Sequence, residues 1–317
     1  MKPPKILHKL METGRNYSFP KQTWRRSGSC PQGTIPIRRI PTGPGNEIAN
    51  RTDPPFFSYG RPSPAVTNEK FQANGKLEIA AAYGVYGPYH GTSAAIPIWK
   101  VEVEPNEFCM NYLLIASPHD RSFTPIKGKD PPDINNQIAV GIANDGGGKS
   151  NCLNQECGFI QTSNQFALGG TFQKDSTVGG DLYFVHVALY RVTGPAVWWL
   201  SVNNVPIGYF DPGMFPVPFI ESFHNEMGGR VLDTRPGGRH TMTRMGSGMY
   251  ASAGLDNSAS IAFYMAINNN GGDQVDNPIN AIVTNPKCYD VKVFGRDLNR
   301  PGFDVAYGGP GGYCCDE

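Results

Sequence analysis

Glu226 is the residue whose surroundings most suggest chemistry. It lies two positions before Gly228 and Gly229, and a short apolar run, residues 230–232, follows it. Glycine permits backbone conformations and close approaches that other residues forbid, so two glycines can present a neighbouring carboxylate at a strand end with little side-chain cover. Such a carboxylate could act as a general acid or base. The simpler interpretation is a solvated turn carboxylate, because charged residues are mostly exposed.

Aromatic side chains cluster upstream of this acid. They are Trp198, Trp199, Tyr209, Phe210, Phe215, Phe219 and Phe223. In a β protein such residues form core more often than ligand platforms, but the turn-rich residues 208–213 would expose some of them at a groove edge. Aromatic faces beside an acid suit proline rings or sugars. The groove candidates are Trp198, Tyr209, Phe210 and His240.

Motifs for nucleotides, metals and serine catalysis are weak. Residues 143–150, ANDGGGKS, resemble a loosened P-loop, but the helix that should follow is not indicated, so an exposed glycine-rich turn is expected. The chain contains no H-E-x-x-H, no C-x-x-C and no G-x-S-x-G, and its six histidines are scattered. We therefore expect no metal and no other cofactor.

Composition favours an all-β protein. The chain has 317 residues, with 38 Gly and 28 Pro, and only 17% of its residues are charged; this suits many short strands joined by tight turns. The net charge of +1 and the lack of a basic run disfavour nucleic acid. Apolar residues occupy both alternating faces of residues 181–192, so this strand is covered on both sides. That pattern predicts two stacked antiparallel sheets, a β-sandwich, or a closed barrel.

Strand signals begin near Lys76 and recur about every 8 to 12 residues. The predicted strands are residues 77–86, 96–103, 108–115, 138–142, 159–161, 166–172, 182–192, 197–202, 206–210, 261–267 and 289–294. Residues 1–74 are basic and proline-rich without a sustained period, which indicates an extended arm or a disordered tail. The predicted division is an arm and linker, residues 1–75, and a domain, residues 76–317.

Seven cysteines indicate an oxidising compartment. Cys152 and Cys157 enclose one short loop, and Cys288 lies upstream of the terminal pair Cys314 and Cys315, either of which could be its partner; Cys314 is the candidate. We expect a secreted monomer without a membrane segment, since no run of eighteen apolar residues occurs. Residues 1–10 hold no secretion signal, so we also expect the natural chain to begin further upstream.

Motifs along nearly the whole chain resemble one family. They are CPQGTIPIRR at residues 30–39, PNEF at 105–108, the loop of Cys152 and Cys157 with GFIQ at 158–161, IGY at 207–209, EMGG at 226–229, HTMTRMGSG at 240–248, CYD at 288–290 and YGGPG at 307–311. In this order they resemble the neprosin family of plants, secreted glutamic endopeptidases that cut after proline and carry an activation peptide.

The resemblance implies a β-sandwich with a pair of glutamates on a concave face. One carboxylate of such a pair keeps a proton while the other draws a proton from water, which gives activity in acid. Glu226 matches the second family glutamate, whereas the first belongs to a segment of the form Ile-Glu-x-Gly-Trp. No glutamate occurs between Glu107 and Glu156. The acids near the expected place are Asp120, Asp130 and Asp133.

The missing glutamate leads to three hypotheses. The first is a neprosin-like acid endopeptidase for proline-containing peptides whose activity is weak or absent. The second is a non-catalytic module that binds proline-rich peptides or cell-wall glycans. The third is a glycosidase, which also needs a second acid, about 5 to 10 Å from Glu226. By resemblance, the arm would cover the site until it is removed.

Overall fold

A computed structural model describes residues 19–37, 75–84, 87–118, 134–145, 158–192, 197–215, 218–237, 239–268, 273–274, 280–296 and 302–316. This part of the chain is mostly β-strand and contains no α-helix. Its strands are β1 Lys76–Gly84, β2 Gly91–Pro97, β3 Phe108–Pro118, β4 Ile134–Asp145, β5 Phe159–Gln161, β6 Phe184–Val192, β7 Val197–Val202, β8 Val205–Phe210, β9 His224–Asp233, β10 Ala259–Ile267, β11 Asp273–Gln274, β12 Asn280–Val283, β13 Asp290–Arg296 and β14 Phe303–Gly308. Its short 3-10 helices are Thr23–Ser27, Pro212–Met214, Ala251–Ala253 and Tyr313–Cys315. None of the described helices is long and apolar enough to cross a membrane.

The strands form two antiparallel sheets. The small sheet has the order β12-β1-β9-β3-β4, and the large sheet has the order β13-β14-β10-β2-β6-β7-β8-β5, with β11 beside β10. Side chains alternate between the two faces of a strand, so each sheet has one face toward the other sheet and one face away from it. We call these the inner and outer faces. The prediction of a β-sandwich is confirmed.

The main core lies between the inner faces. Leu113 and Met227 of the small sheet belong to the same buried cluster as Val187 and Trp198 of the large sheet. On β6, Val185, Val187 and Leu189 face this core, while the alternate residues lie in smaller clusters on the outer face. The predicted two-sided burial of this strand is therefore confirmed.

Three strand predictions differ from the structure. The strand expected at residues 96–103 is β2, which ends at Pro97 and is made largely of small residues that pack closely between β6 and β10. Residues 166–172 form only an isolated bridge, between Phe172 and Gln22. The apolar signal at 230–232 is the end of the longer strand β9.

A disulfide joins the segment before β13 to the C-terminal turn. Cys288 bonds to Cys315, with the two Cα atoms 5.0 Å apart, a usual separation for this bond. The choice of Cys314 as the partner is therefore corrected, because the turn Tyr313–Cys315 brings Cys315 beside Cys288. Cys30 and Cys109 are free thiols. Cys152 and Cys157 lie outside the described residues.

Candidate functional site

Glu226 is the third residue of β9, the central strand of the small sheet. Its Cα partners are Tyr83 on β1 and Leu114 on β3. Because its neighbour Met227 points into the main core, Glu226 projects from the outer face. Its side chain is nevertheless fully buried. The expectation of an exposed, solvated acid is thus wrong.

The double glycine serves packing rather than exposure. A Cβ atom on Gly229 would lie 2.6 Å from Cγ of Met245 and 2.7 Å from Cδ2 of Tyr307. Such distances are shorter than side chains tolerate, so glycine lets the inner face of β9 approach these two residues closely. For Gly229 the cause therefore lies on the face opposite to Glu226, whereas a Cβ atom on Gly228 would collide with the Ala80 carbonyl oxygen of the neighbouring strand β1.

Three buried side chains hold the Glu226 carboxylate. The Tyr112 hydroxyl donates to its Oε1, and Nε2 of His224 lies 3.1 Å from its Oε2. The guanidinium of Arg230 approaches Oε1 to 3.9 Å, and its Cζ lies 3.7 Å from the centre of the Tyr112 ring. His224 stacks on Tyr83 with the ring centres 5.2 Å apart. We call Glu226, Tyr112, His224 and Arg230 the Glu226 site.

The charges in this site balance as an ion pair. Burial, and next the negative charge of Glu226, raise the pKa of Tyr112 well above its ordinary value of 10, so its hydroxyl remains a donor. Arg230 supplies the opposite charge that a buried carboxylate requires. Among the described residues, the hydrogen bonds and ion pair of Glu226 end at Tyr112, His224 and Arg230. None of these partners is a second carboxylate.

The strand β4 carries an alanine in line with Glu226. Leu114 on β3 pairs with Glu226 on one side and with Ala139 on β4 on the other, so both project from the same face in one row. Residues 138–142, Ile-Ala-Val-Gly-Ile, share the isoleucine and the glycine of the form Ile-Glu-x-Gly-Trp, and Ala139 falls at its glutamate position. Two strand spacings, about 9 to 10 Å, separate the Cα atoms of Ala139 and Glu226.

The acids nearest to the expected place, Asp120, Asp130 and Asp133, all precede β4, so the sequence did not single out this strand. One residue of β4 that still agrees with the form Ile-Glu-x-Gly-Trp is Gly141. A Cβ atom there would collide with the backbone of β3, lying 2.9 Å from Cα of Tyr112, so the glycine keeps β4 close to the site. The substitute candidates Asp120, Asp130 and Asp133 lie outside the described residues.

The predicted groove residues lie elsewhere. Trp198 and Phe210 belong to the main core, and the Trp198 indole donates to the carbonyl of Phe219 at 2.8 Å. Tyr209 packs beside Trp199 on the outer face of the large sheet. None of these is on the face that carries Glu226. The expected groove is corrected accordingly, since side-chain alternation sends neighbouring aromatics to opposite faces.

His240 belongs to a second group of titratable residues. We call Glu78, Glu107, Asp233 and His240 the buried acid cluster; all four are largely removed from solvent. His240 contacts Oε2 of Glu78 through Nε2 and the carbonyl of Thr241 through Nδ1, each at 2.8 Å. A carboxylate and a carbonyl both accept hydrogen bonds, so these contacts favour a hydrogen on each ring nitrogen, the imidazolium form of His240.

The Glu78 and His240 pair shifts both pKa values toward the charged forms. Burial raises the pKa of Glu78, but hydrogen bonds from His240, Lys76 and Asn285 together lower it below its ordinary 4.5. Burial lowers the pKa of His240, but the hydrogen bond and charge of Glu78 raise it above its ordinary 6.5. Burial also raises the pKa of Asp233.

Glu107 is bound entirely by the chain segment that follows β9. It accepts from the backbone N–H of Thr234 at 2.9 Å and from the hydroxyls of Thr241 and Thr243, the latter at 2.5 Å.

Ligand atoms of Glu78, Asp233 and His240 lie within 4.8 Å of one another. Both ring nitrogens of His240 are already engaged with Glu78 and Thr241, so a metal ion would have to displace one of these contacts. The cluster is therefore suited to holding loops in place.

One comparison with known proteins extends these observations. A family model described as Neprosin matches residues 132–310, more than half of the chain. The match contains Ala139 and the whole of β9, including Glu226 and Arg230. It begins after Glu78 and Glu107, so two acids of the buried acid cluster lie outside it.

Proposed function

Because the chain belongs to the neprosin family, we propose that it is a neprosin-type domain that binds proline-containing peptides and cleaves them weakly or not at all. The carrying observation is the row of Glu226, Leu114 and Ala139, in which alanine stands where a second acid is needed. In this proposal residues 76–317 are the domain and residues 1–75 an activation-peptide remnant with its linker. The disulfide of Cys288 and Cys315 supports a secreted protein.

The chemistry explains why one acid is insufficient. A carboxylate pair can share a proton, so that one member activates water while the other protonates the leaving amine. Glu226 instead faces the fixed positive charge of Arg230 and the hydroxyl of Tyr112. Neither group takes a proton from water, and the imidazole of His224, which could, is fully buried and already engaged with Glu226. Losing general acid and base action typically costs about 100-fold to 10,000-fold in rate.

The glycosidase hypothesis meets the same obstacle. Paired carboxyl groups are needed on both sides of a glycosidic bond, and the described partners of Glu226 include none. A glycan remains the alternative ligand for a non-catalytic module, and a binding assay with glycans beside peptides separates the two.

A cleavage and binding assay tests the proposal. The purified chain, intact and after a cut between residues 37 and 75, is incubated near pH 3 to 5 with a proline-containing peptide. We expect wild type and Glu226→Gln to show the same cleavage rate, at background, and the cut protein to bind the peptide. Prompt cleavage by wild type that Glu226→Gln abolishes would contradict the proposal.

A further inference from the structure

Residues 19–37 are attached to the large sheet although they lie far away in sequence. The backbone of Gln22 forms an antiparallel bridge with Phe172. Thr23 N–H donates to the Thr171 carbonyl at 2.8 Å, and Gln173 N–H donates to the Lys21 carbonyl at 2.9 Å. These bonds add a short extended segment to the loop after β5, which is a recurrent way of binding a peptide.

The Gln22 side chain adds specificity to this contact. Its Nε2 donates to the Ala167 carbonyl and its Oε1 accepts from the Ala167 N–H, both at 2.8 Å. The side chain is 6% exposed. A primary amide presents a donor and an acceptor together, so few other side chains could satisfy both backbone groups of Ala167. Further along, Asn164 donates to the Cys30 carbonyl at 3.1 Å.

An apolar anchor precedes the glutamine. Phe19 packs on the cluster of Ala95, Phe184, Ala262 and Phe263, which we call the outer patch. Pro20, between the anchor and the bridge, is buried. The outer patch belongs to the large sheet, on the face turned away from the main core, whereas Glu226 projects from the outer face of the small sheet. The two outer faces lie on opposite sides of the sandwich.

We propose that residues 162–173 and the outer patch form a peptide-docking surface for the sequence Phe-Pro-Lys-Gln-Thr of residues 19–23. This surface retains the N-terminal segment after the chain is cut between residues 37 and 75. The contacts described above are noncovalent and depend on the segment's own residues rather than on its connection to β1. The docking surface does not depend on the proposed function, because it lies on the other sheet from Glu226.

The retention test uses the full chain. A protease recognition site replaces residues 50–55, the purified protein is cut, and the products are separated by gel filtration under native conditions. We expect the N-terminal fragment to elute with the domain in equal amounts. A non-reducing denaturing gel must then separate the two pieces, which excludes a disulfide through Cys30. Separate elution of the fragment under native conditions would overturn the proposal.

Peptide competition tests the assigned contacts without altering the protein. A synthetic peptide of residues 19–37 in excess should displace the fragment from the cut wild-type protein. The same peptide with Gln22→Ala should need at least a tenfold higher concentration. The matched control is the peptide with Gln32→Ala, because Gln32 is exposed, and it should compete like the wild-type peptide. Equal competition by the Gln22→Ala peptide would show that the Gln22 contact does not hold the segment.

Discussion

The Glu226 site and the buried acid cluster both keep carboxylates away from water, but with different partners. Glu226 has one guanidinium, one phenol and one imidazole around it. The cluster brings three acids together and binds them with an imidazolium, hydroxyls and backbone N–H groups. The closeness of the three acids in the cluster is therefore not evidence for a catalytic carboxylate pair, because each is bound by structural partners. The face of the small sheet also matters: among the described residues that contact the Glu226 carboxylate there, none is a second acid.

The largest effect on stability should come from removing the charge partner of Glu226. Arg230→Met leaves a fully buried carboxylate without its cation, and we expect a loss of about 3 to 5 kcal/mol in the free energy of unfolding. The matched control is Arg235→Met, since Arg235 pairs with Glu104 at 3.3 Å in a partly exposed position and such pairs contribute at most about 1 kcal/mol. Denaturant unfolding of both variants measures the difference.

Equal losses of unfolding free energy for Arg230→Met and Arg235→Met would contradict this prediction. They would mean that Glu226 is compensated by groups other than Arg230. A further check is the double variant Glu226→Gln with Arg230→Met. It should recover part of the stability, because no unpaired charge remains.

The contribution of the buried acid cluster to the free energy of unfolding should depend on pH. Glu78 has a lowered pKa, so its contribution is present above its ordinary 4.5 and is lost as the pH falls through its lower folded value. His240 has a raised pKa, so its contribution is complete below 6.5 and is lost as the pH rises through its higher folded value. The pair should therefore stabilise most between pH 4.5 and 6.5.

His240→Gln tests this window. We expect the variant to lose about 2 kcal/mol within it, the usual range for a hydrogen bond to a charged group, and less at either extreme. The measurement is the free energy of unfolding from pH 3 to pH 9. A loss that is the same at every pH would show that His240 contributes packing rather than charge.

The smallest effect should come from one hydroxyl of the cluster. Thr243 donates to Glu107 at 2.5 Å and accepts from the Glu104 N–H at 3.0 Å. Thr243→Val keeps the shape and removes both bonds, so we expect a loss of about 1 to 2 kcal/mol. Thr162→Val is the control, since its hydroxyl is exposed and lies 3.3 Å from the Ile207 carbonyl. Thermal unfolding should separate the two variants.

The sequence predicted the fold well because its signals are local. Alternation within β6 and the glycine and proline content were enough for a two-layer β protein. The site was predicted only in part. Glu226 was singled out, but its burial and its partners depend on which strands lie beside β9. Pairing between strands that are distant in the sequence cannot be predicted from either strand alone.

Two errors have the same origin. The place of Ala139 in one row with Glu226 depends on the register of β9, β3 and β4 through Leu114, which no single stretch of the sequence contains. Likewise, Trp198 and Trp199 are adjacent in sequence but lie on opposite faces of β7. A shift of one residue reverses the face, so a cluster of aromatics in the sequence did not amount to a groove.

Restoring the second acid tests the role of Ala139 most directly. The measurement is the rate of peptide cleavage near pH 4 by wild type, Ala139→Glu, and Ala139→Glu combined with Glu226→Gln, each cut between residues 37 and 75. We expect Ala139→Glu to cleave about a hundredfold faster than wild type, and the combined variant to return to the wild-type rate. Equal rates for wild type and Ala139→Glu would contradict the proposal that position 139 is where the second acid is missing.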